Sequence, residues 1–176
     1  MPYWGMYPTA SDGPFGSYPA YLARSMTSHS SGQYYFEMTI VVAGVMAQVG
    51  IGIDNDAESL TNPAGQLGSV CWLGNGTVAY NGNAHAYLGS AYMQGAVLGV
   101  AANLTSGLVW FYNGSTWNNS PTANPASSTG GFSVAAVSPS AYALVQLSQT
   151  GDEITANFTN TPAFTYGAPS GFSAWD

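Results

Sequence analysis

The chain has 176 residues, enough for one domain with a full core, and carries a single Lys or Arg, Arg24, against eight carboxylates, for a formal net charge of −7. Affinity for a phosphate backbone comes from several Lys or Arg contacts that release counterions, so nucleic-acid binding is excluded, and a basic membrane-surface patch fails for the same reason. At 46% hydrophobic and 14% aromatic the sequence is globular, yet only 5% of it is charged, so its surface must be Ser, Thr, Asn, Gln, Gly and Ala, which suits permanent assembly or an extracellular life.

In chain order, no Lys or Arg precedes an apolar run in Met1 to Ala10, so the start does not read as a secretory signal. Trp4, Tyr7, Phe15, Tyr18 and Tyr21 alternate with Pro2, Pro8, Pro14, Pro19 and glycines. Proline removes ladder donors, which predicts an irregular arm over residues 1–21, its rings anchoring it to the sandwich or to a neighbour, followed by one domain over 22–176. Strands are predicted at Tyr34 to Val42, Ala47 to Ile53, Val97 to Ala102, Ala141 to Leu147 and Ile154 to Phe158. Two hairpins are predicted at Asn-Gly pairs, Val70 to Leu73 with Thr77 to Tyr80 around Asn75-Gly76, and Leu108 to Tyr112 with Ser115 to Trp117 around Asn113-Gly114, each through a type I′ turn. The most apolar stretch, Thr39 to Ile53, is broken by Gly44 and Gln48 and too short to span a membrane. The pattern is all-β, an antiparallel two-sheet sandwich.

Candidate chemistry is sparse. Cys71 is the only cysteine, which excludes an intrachain disulfide and a cysteine-based zinc site. His29, in a polar turn-like stretch, and His85, in a predicted loop, are the only neutral-range bases, and no Gly-x-Ser-x-Gly elbow occurs, so a non-enzymatic protein without cofactors is expected. Asp54, Asp56 and Glu58 are spaced like the start of a calcium loop, but Ser59 and Gly65 stand where such a loop needs Gly and Glu; they remain weak candidates for a cation. Glu37 alternates with Phe36 and Met38, which predicts a polar face or a hydrogen bond to nearby backbone.

Five strings in order carry a family resemblance: Ser31-Gly32-Gln33-Tyr34-Tyr35-Phe36-Glu37-Met38-Thr39-Ile40; Val49-Gly50-Ile51-Gly52; Val97-Leu98-Gly99-Val100-Ala101; Gly107-Leu108-Val109-Trp110-Phe111 with Asn113-Gly114-Ser115-Thr116-Trp117; and Thr155-Ala156-Asn157-Phe158 with Phe164-Thr165-Tyr166 and Pro169-Ser170-Gly171-Phe172. From about Leu22 to Trp175 the chain resembles the SPRY domain family, a concanavalin-like β-sandwich of jelly-roll type. It departs at Gly95-Ala96 and Asn103, where family members often carry acidic residues. The resemblance implies binding of a protein or peptide by loops at one end and one face of the sandwich, here Asp54 to Gly68, Gly82 to Gln94 and Ser115 to Phe132. Within them Tyr87, Tyr92 and Trp117 are the candidate contact rings, although Trp117 also sits where the family packs a strand tryptophan.

Together these readings predict a virion structural protein of a tailed bacteriophage. It would be a capsid decoration or cement protein, or a tail or fibre component, assembled in host cytoplasm and displayed on the particle exterior. Its partners would be other virion proteins and further copies of itself, with residues 1–21 as the anchor. Two alternatives stand beside it: a module recognising a host-surface glycan or protein, and an intracellular SPRY adaptor.

Overall fold

The computed structural model describes residues 5–13, 16–44, 50–54, 69–80, 83–88, 91–133, 140–147 and 151–176, and at 5–22, 54 and 83–87 the backbone alone. The strands are β1 (Gly5–Gly13), β2 (Gly16–His29), β3 (Gln33–Val42), β4 (Gly50–Asp54), β5 (Ser69–Leu73), β6 (Thr77–Tyr80), β7 (Asn83–Tyr87), β8 (Val97–Asn103), β9 (Leu108–Tyr112), β10 (Phe132–Ser133), β11 (Ala141–Leu147), β12 (Glu153–Asn157) and β13 (Ser173–Ala174). A single 3-10 turn, Pro125–Ser127, is the only helical element among the described residues. One sheet runs β1-β2-β11-β4-β5-β6-β7 and the other β10-β9-β8-β3-β12, with β13 added parallel to β3. All other pairings are antiparallel, the two-sheet sandwich that the periodicity predicts.

Alternation along each strand builds the core between the sheets. Phe36, Met38 and Ile40 of β3, Leu98 and Val100 of β8, and Val109 and Phe111 of β9 face Ile51 and Ile53 of β4, Val70 and Trp72 of β5, and Ala143 and Val145 of β11 in one buried cluster. Each fully buried apolar side chain contributes about 1.5–3 kcal/mol. Trp175, after β13, is tied into the same cluster. Trp175 meets Phe36 edge-on at 5.3 Å and His29 at 5.0 Å, and its indole N–H donates to the Thr27 carbonyl at 3.2 Å. His29 stacks on Tyr34 at 3.8 Å, and its Nε2 lies 2.6 Å from the Trp175 carbonyl, so that nitrogen carries the donated proton.

Four sequence readings need correction. Residues 5–13 and 16–29 do not form an irregular arm; they are an antiparallel hairpin that continues the seven-stranded sheet. Proline is tolerated because β1 is an edge strand, and because Pro19 lies beyond Tyr21, the last β2 residue paired to β11, so each has an open flank where no donor is needed. Residues 83–87, which the sequence predicts as loop, are β7, the opposite edge of that sheet, and His85 therefore lies on a strand. The Asn-Gly turns sit where predicted but are not type I′. Gly76 and Gly114 have φ of 89° and 90°, whereas Asn75 and Asn113 stay out of the left-handed region and use their side chains instead. Asn75 Oδ1 accepts from Thr77 N at 2.9 Å, and Asn113 Oδ1 from Ser115 N at 3.0 Å. Of the strand predicted at Ser115 to Trp117, only a bridge between Trp117 and Tyr112 forms.

A bulge marks where β2 meets β11. Between Tyr142↔Ser28 and Leu144↔Arg24, residues 25–27 oppose Ala143 alone. The Ser25 hydroxyl fills the gap, accepting from Ala143 N at 3.0 Å and donating to the Thr27 carbonyl at 2.8 Å.

Candidate functional site

The odd positions of β3 face away from the main core, and there Tyr35 joins a second buried cluster with Ala101, Trp110, Ala123 and Phe172 on the outer face of the six-stranded sheet. Two stretches, residues 113–131 and 158–172, lie over this face. Asn118 locks the first stretch from a left-handed backbone, φ 47°. Its Oδ1 accepts from Phe111 N at 2.8 Å and its Nδ2 donates to the Gly130 carbonyl at 2.8 Å. The Trp110 indole N–H adds a bond to the Thr129 carbonyl at 2.7 Å.

Glu37 locks the second stretch. Its carboxylate is 3% exposed and accepts three hydrogen bonds, from Tyr35 OH at 2.8 Å, Thr165 N at 2.6 Å and Tyr166 N at 2.8 Å. Of the two sequence readings of Glu37, a polar face or a hydrogen bond to nearby backbone, the hydrogen bond forms, with backbone donors 128 and 129 residues away in the chain. A buried carboxylate needs such charge-assisted bonds, because desolvation is otherwise prohibitive. Gly99, opposite Glu37 in the β3–β8 ladder, leaves the room that the Tyr35 hydroxyl occupies, since a Cβ there would strike that ring. Burial, then the hydrogen bond and negative charge of Glu37, hold the Tyr35 hydroxyl well above its ordinary pKa. Tyr166 is raised by burial and then by Glu37.

Rings edge this face. Phe164 packs edge-on against Tyr35 at 4.9 Å, Tyr166 edge-on against Tyr112 at 5.0 Å, and Trp117 lies tilted on Tyr112 at 4.8 Å. Tyr166 is 39% exposed although its hydroxyl bonds the Val97 carbonyl at 3.1 Å. Beside it a groove of about 460 Å³ runs along β12, lined by Glu37, Thr39, Thr155, Asn157, Thr159 and Asp176 among others.

Of the predicted contact rings, Trp117 reaches this face, half-buried against Tyr35 and Tyr112 and outside the main core. Tyr92 does not present itself. It is buried, edge-on to Trp72 at 5.0 Å with its hydroxyl on the Trp72 carbonyl at 2.9 Å, so it is a core residue, and burial raises its pKa. Tyr7, Tyr18, Tyr21 and Tyr87 are placed by backbone on β1, β2 and β7, while Trp4 and Phe15 lie outside the described residues. Asp54 ends β4, and Asp56 and Glu58 lie outside the described residues; no cluster of three metal-ligating side chains occurs among the described ones. Sequence reasoning did not single out Tyr112, Phe164 and Tyr166. The available signal was Glu37 itself, a carboxylate in an aromatic strand with no cation beside it in sequence, whose donors prove to be the Tyr35 hydroxyl and the backbone of another segment.

Searched by sequence, neither a family model nor a curated protein matches the chain. Its architecture is nevertheless that of SPRY domains. A crystal structure of the SPRY domain of human HERC1 superposes with a TM-score of 0.63 at 16% identity, covering 86% of this chain and 96% of that one. A second human SPRY domain gives 0.56 at 20% identity, covering 81% of this chain and 86% of that one.

Proposed function

We propose that a chain with this SPRY-type sandwich is a non-enzymatic protein-interaction module, and that it engages its partner with the outer face formed by residues 113–131 and 158–172. One observation carries the reading: Trp117 and Tyr166, on two stretches that Asn118 and Glu37 pin by hydrogen bonds, form a half-exposed aromatic edge with Tyr112 at the end of β9. Preorganised aromatic anchors lower the ordering cost of association, which is what a binding surface requires. The same module built into a virion, as a capsid decoration protein or a tail or fibre component of a tailed bacteriophage, is the finer form of the proposal. Its support is compositional: one Lys or Arg in 176 residues leaves a surface suited to lifelong contact with other protein. An intracellular SPRY adaptor would fit the fold equally and the composition less well.

A photo-cross-linking residue at Tyr166 tests the interaction face against the same residue at Asn75, in the β5–β6 turn. One discrete cross-linked protein from position 166 and none from position 75 is the expected result. Identical products from both sites, or none from either, would overturn the assignment. Electron cryomicroscopy of purified particles tests the finer form, which requires density for this sandwich on the particle surface.

A further inference from the structure

β12 ends the six-stranded sheet, pairing with β3 on one side only. On its other side Ile154, Thr155, Ala156 and Asn157 make no backbone hydrogen bond to any described residue, until the Asp176 N–H closes on the Phe158 carbonyl at 2.9 Å. The strand is short, its ladder slips between Glu153 and Ile154, and it begins on an exposed carboxylate. Those features keep another sheet from pairing edge to edge, and a chain of net charge −7 repels its own copies, so a second copy is a poor occupant. An extended peptide of a few residues is not excluded in this way.

Acceptors line the groove beside this edge, two of them buried in its wall. Glu37 Oε2 holds one hydrogen bond, from Thr165 N, and the buried Asn157 Oδ1 has no partner among the described residues. Asp176 adds a carboxylate at the rim. The chain's only Lys or Arg is Arg24, which sits on the other sheet with its guanidinium 4.2 Å from the centre of the Tyr142 ring. The His29 ring is held at the Trp175 carbonyl. Neither described basic side chain bonds these acceptors, so a cation from another molecule is their fitting complement.

We infer that the groove receives an extended segment of a partner protein, about four residues of which add to the open edge of β12 while a lysine or arginine side chain points at Glu37, Asn157 and Asp176. This deepens the interaction-module reading and rests on it, and names the groove between β12 and residues 158–165, next to the Tyr166 edge on the same face.

The test is amide NMR of the full chain, titrated with two end-capped probe peptides, Thr-Val-Arg-Val-Thr and Thr-Val-Glu-Val-Thr. The arginine peptide is expected to shift the amides of Ile154 to Asn157 and Thr165 with a Kd of about 1 mM or below, and the glutamate peptide to bind about tenfold more weakly. Thr159→Lys, at an exposed groove position, should weaken the arginine peptide about tenfold and leave amides remote from the groove unmoved, which confirms the fold. Equal binding of the two peptides, shifts elsewhere, no effect of Thr159→Lys, or no shift at about 5 mM peptide would overturn the inference. Shifts at β12 that grow with protein concentration alone would assign the edge to a second copy and overturn it too. If the peptides fail while Tyr166 still cross-links to one protein, the groove reading falls alone; if the peptides bind and that cross-link fails, the Tyr166 face falls instead.

Discussion

Removing one hydroxyl tests how the N-terminal hairpin joins the sandwich. Ser25, 2% exposed, fills the bulge between β2 and β11, and Ser25→Ala takes away the acceptor of the Ala143 N–H while leaving the backbone unchanged. Ala143 is fully buried, so water cannot replace the lost partner. The Thr27 carbonyl also loses the hydroxyl but keeps the Trp175 indole N–H at 3.2 Å, so it adds little. One buried, unpaired N–H costs about 1–3 kcal/mol. In a domain of this size each kcal/mol lowers Tm by roughly 2–4 °C, so the variant should melt about 2–12 °C below the parent. Thermal unfolding by circular dichroism reads the total, and amide exchange should show Ala143 losing protection more than its neighbours in β11. A melting point within about 1 °C of the parent, with Ala143 exchange unchanged, would show that the bulge does not depend on this side chain and that the β2–β11 junction is misunderstood.

Three further outcomes are expected. Glu37→Gln puts an amide donor against one of its backbone donors, so Thr165 or Tyr166 should exchange about tenfold faster while strands of the other sheet keep their rates. In alkali, Tyr35 and Tyr92 bind their protons more tightly folded than unfolded, where they ionise near pH 10; their stabilisation is complete below about pH 10 and declines above it by about 1.4 kcal/mol per pH unit for each ring. Denaturant melts between pH 9 and 12 should show that decline, and Tyr35→Phe should flatten it. Deleting residues 1–20 removes β1 and the part of β2 paired only to β1, so the remaining sandwich should still unfold cooperatively; loss of the sharp transition would contradict this.

The sandwich was legible because its central strands are short apolar runs between turn residues. Ala141 to Leu147 matches β11 at both ends, and Leu108 to Tyr112 matches β9. The hairpin over β1 and β2 was hidden because proline argues against strands in general, whereas its real restriction is to flanks without a ladder partner, and that depends on neighbours the local sequence does not name. β7 was hidden for a related reason: Asn83 to Tyr87 is a short edge strand with one His among alanines, and alternation over so few residues carries little signal. At the candidate site, period-two alternation left Glu37 with either a polar face or a backbone donor. The identity of its donors was not legible, since sequence patterns carry no information about pairing across more than a hundred residues. Tyr92 shows the opposite error, an amphipathic ring in a loop-like stretch whose hydroxyl meets a core carbonyl.

The last residue has a practical consequence. Asp176 closes on the Phe158 carbonyl and stands at the rim of the β12 groove. A flexible segment fused behind it would start at the groove, at an effective concentration of roughly millimolar for a short linker. A polyhistidine tag at that end would place imidazolium groups beside an acceptor-lined groove and imitate the proposed cation in cis. The same tag placed before residue 1 precedes β1, which belongs to the other sheet. Comparing the two versions of the protein would expose any tag-induced masking before a partner is sought.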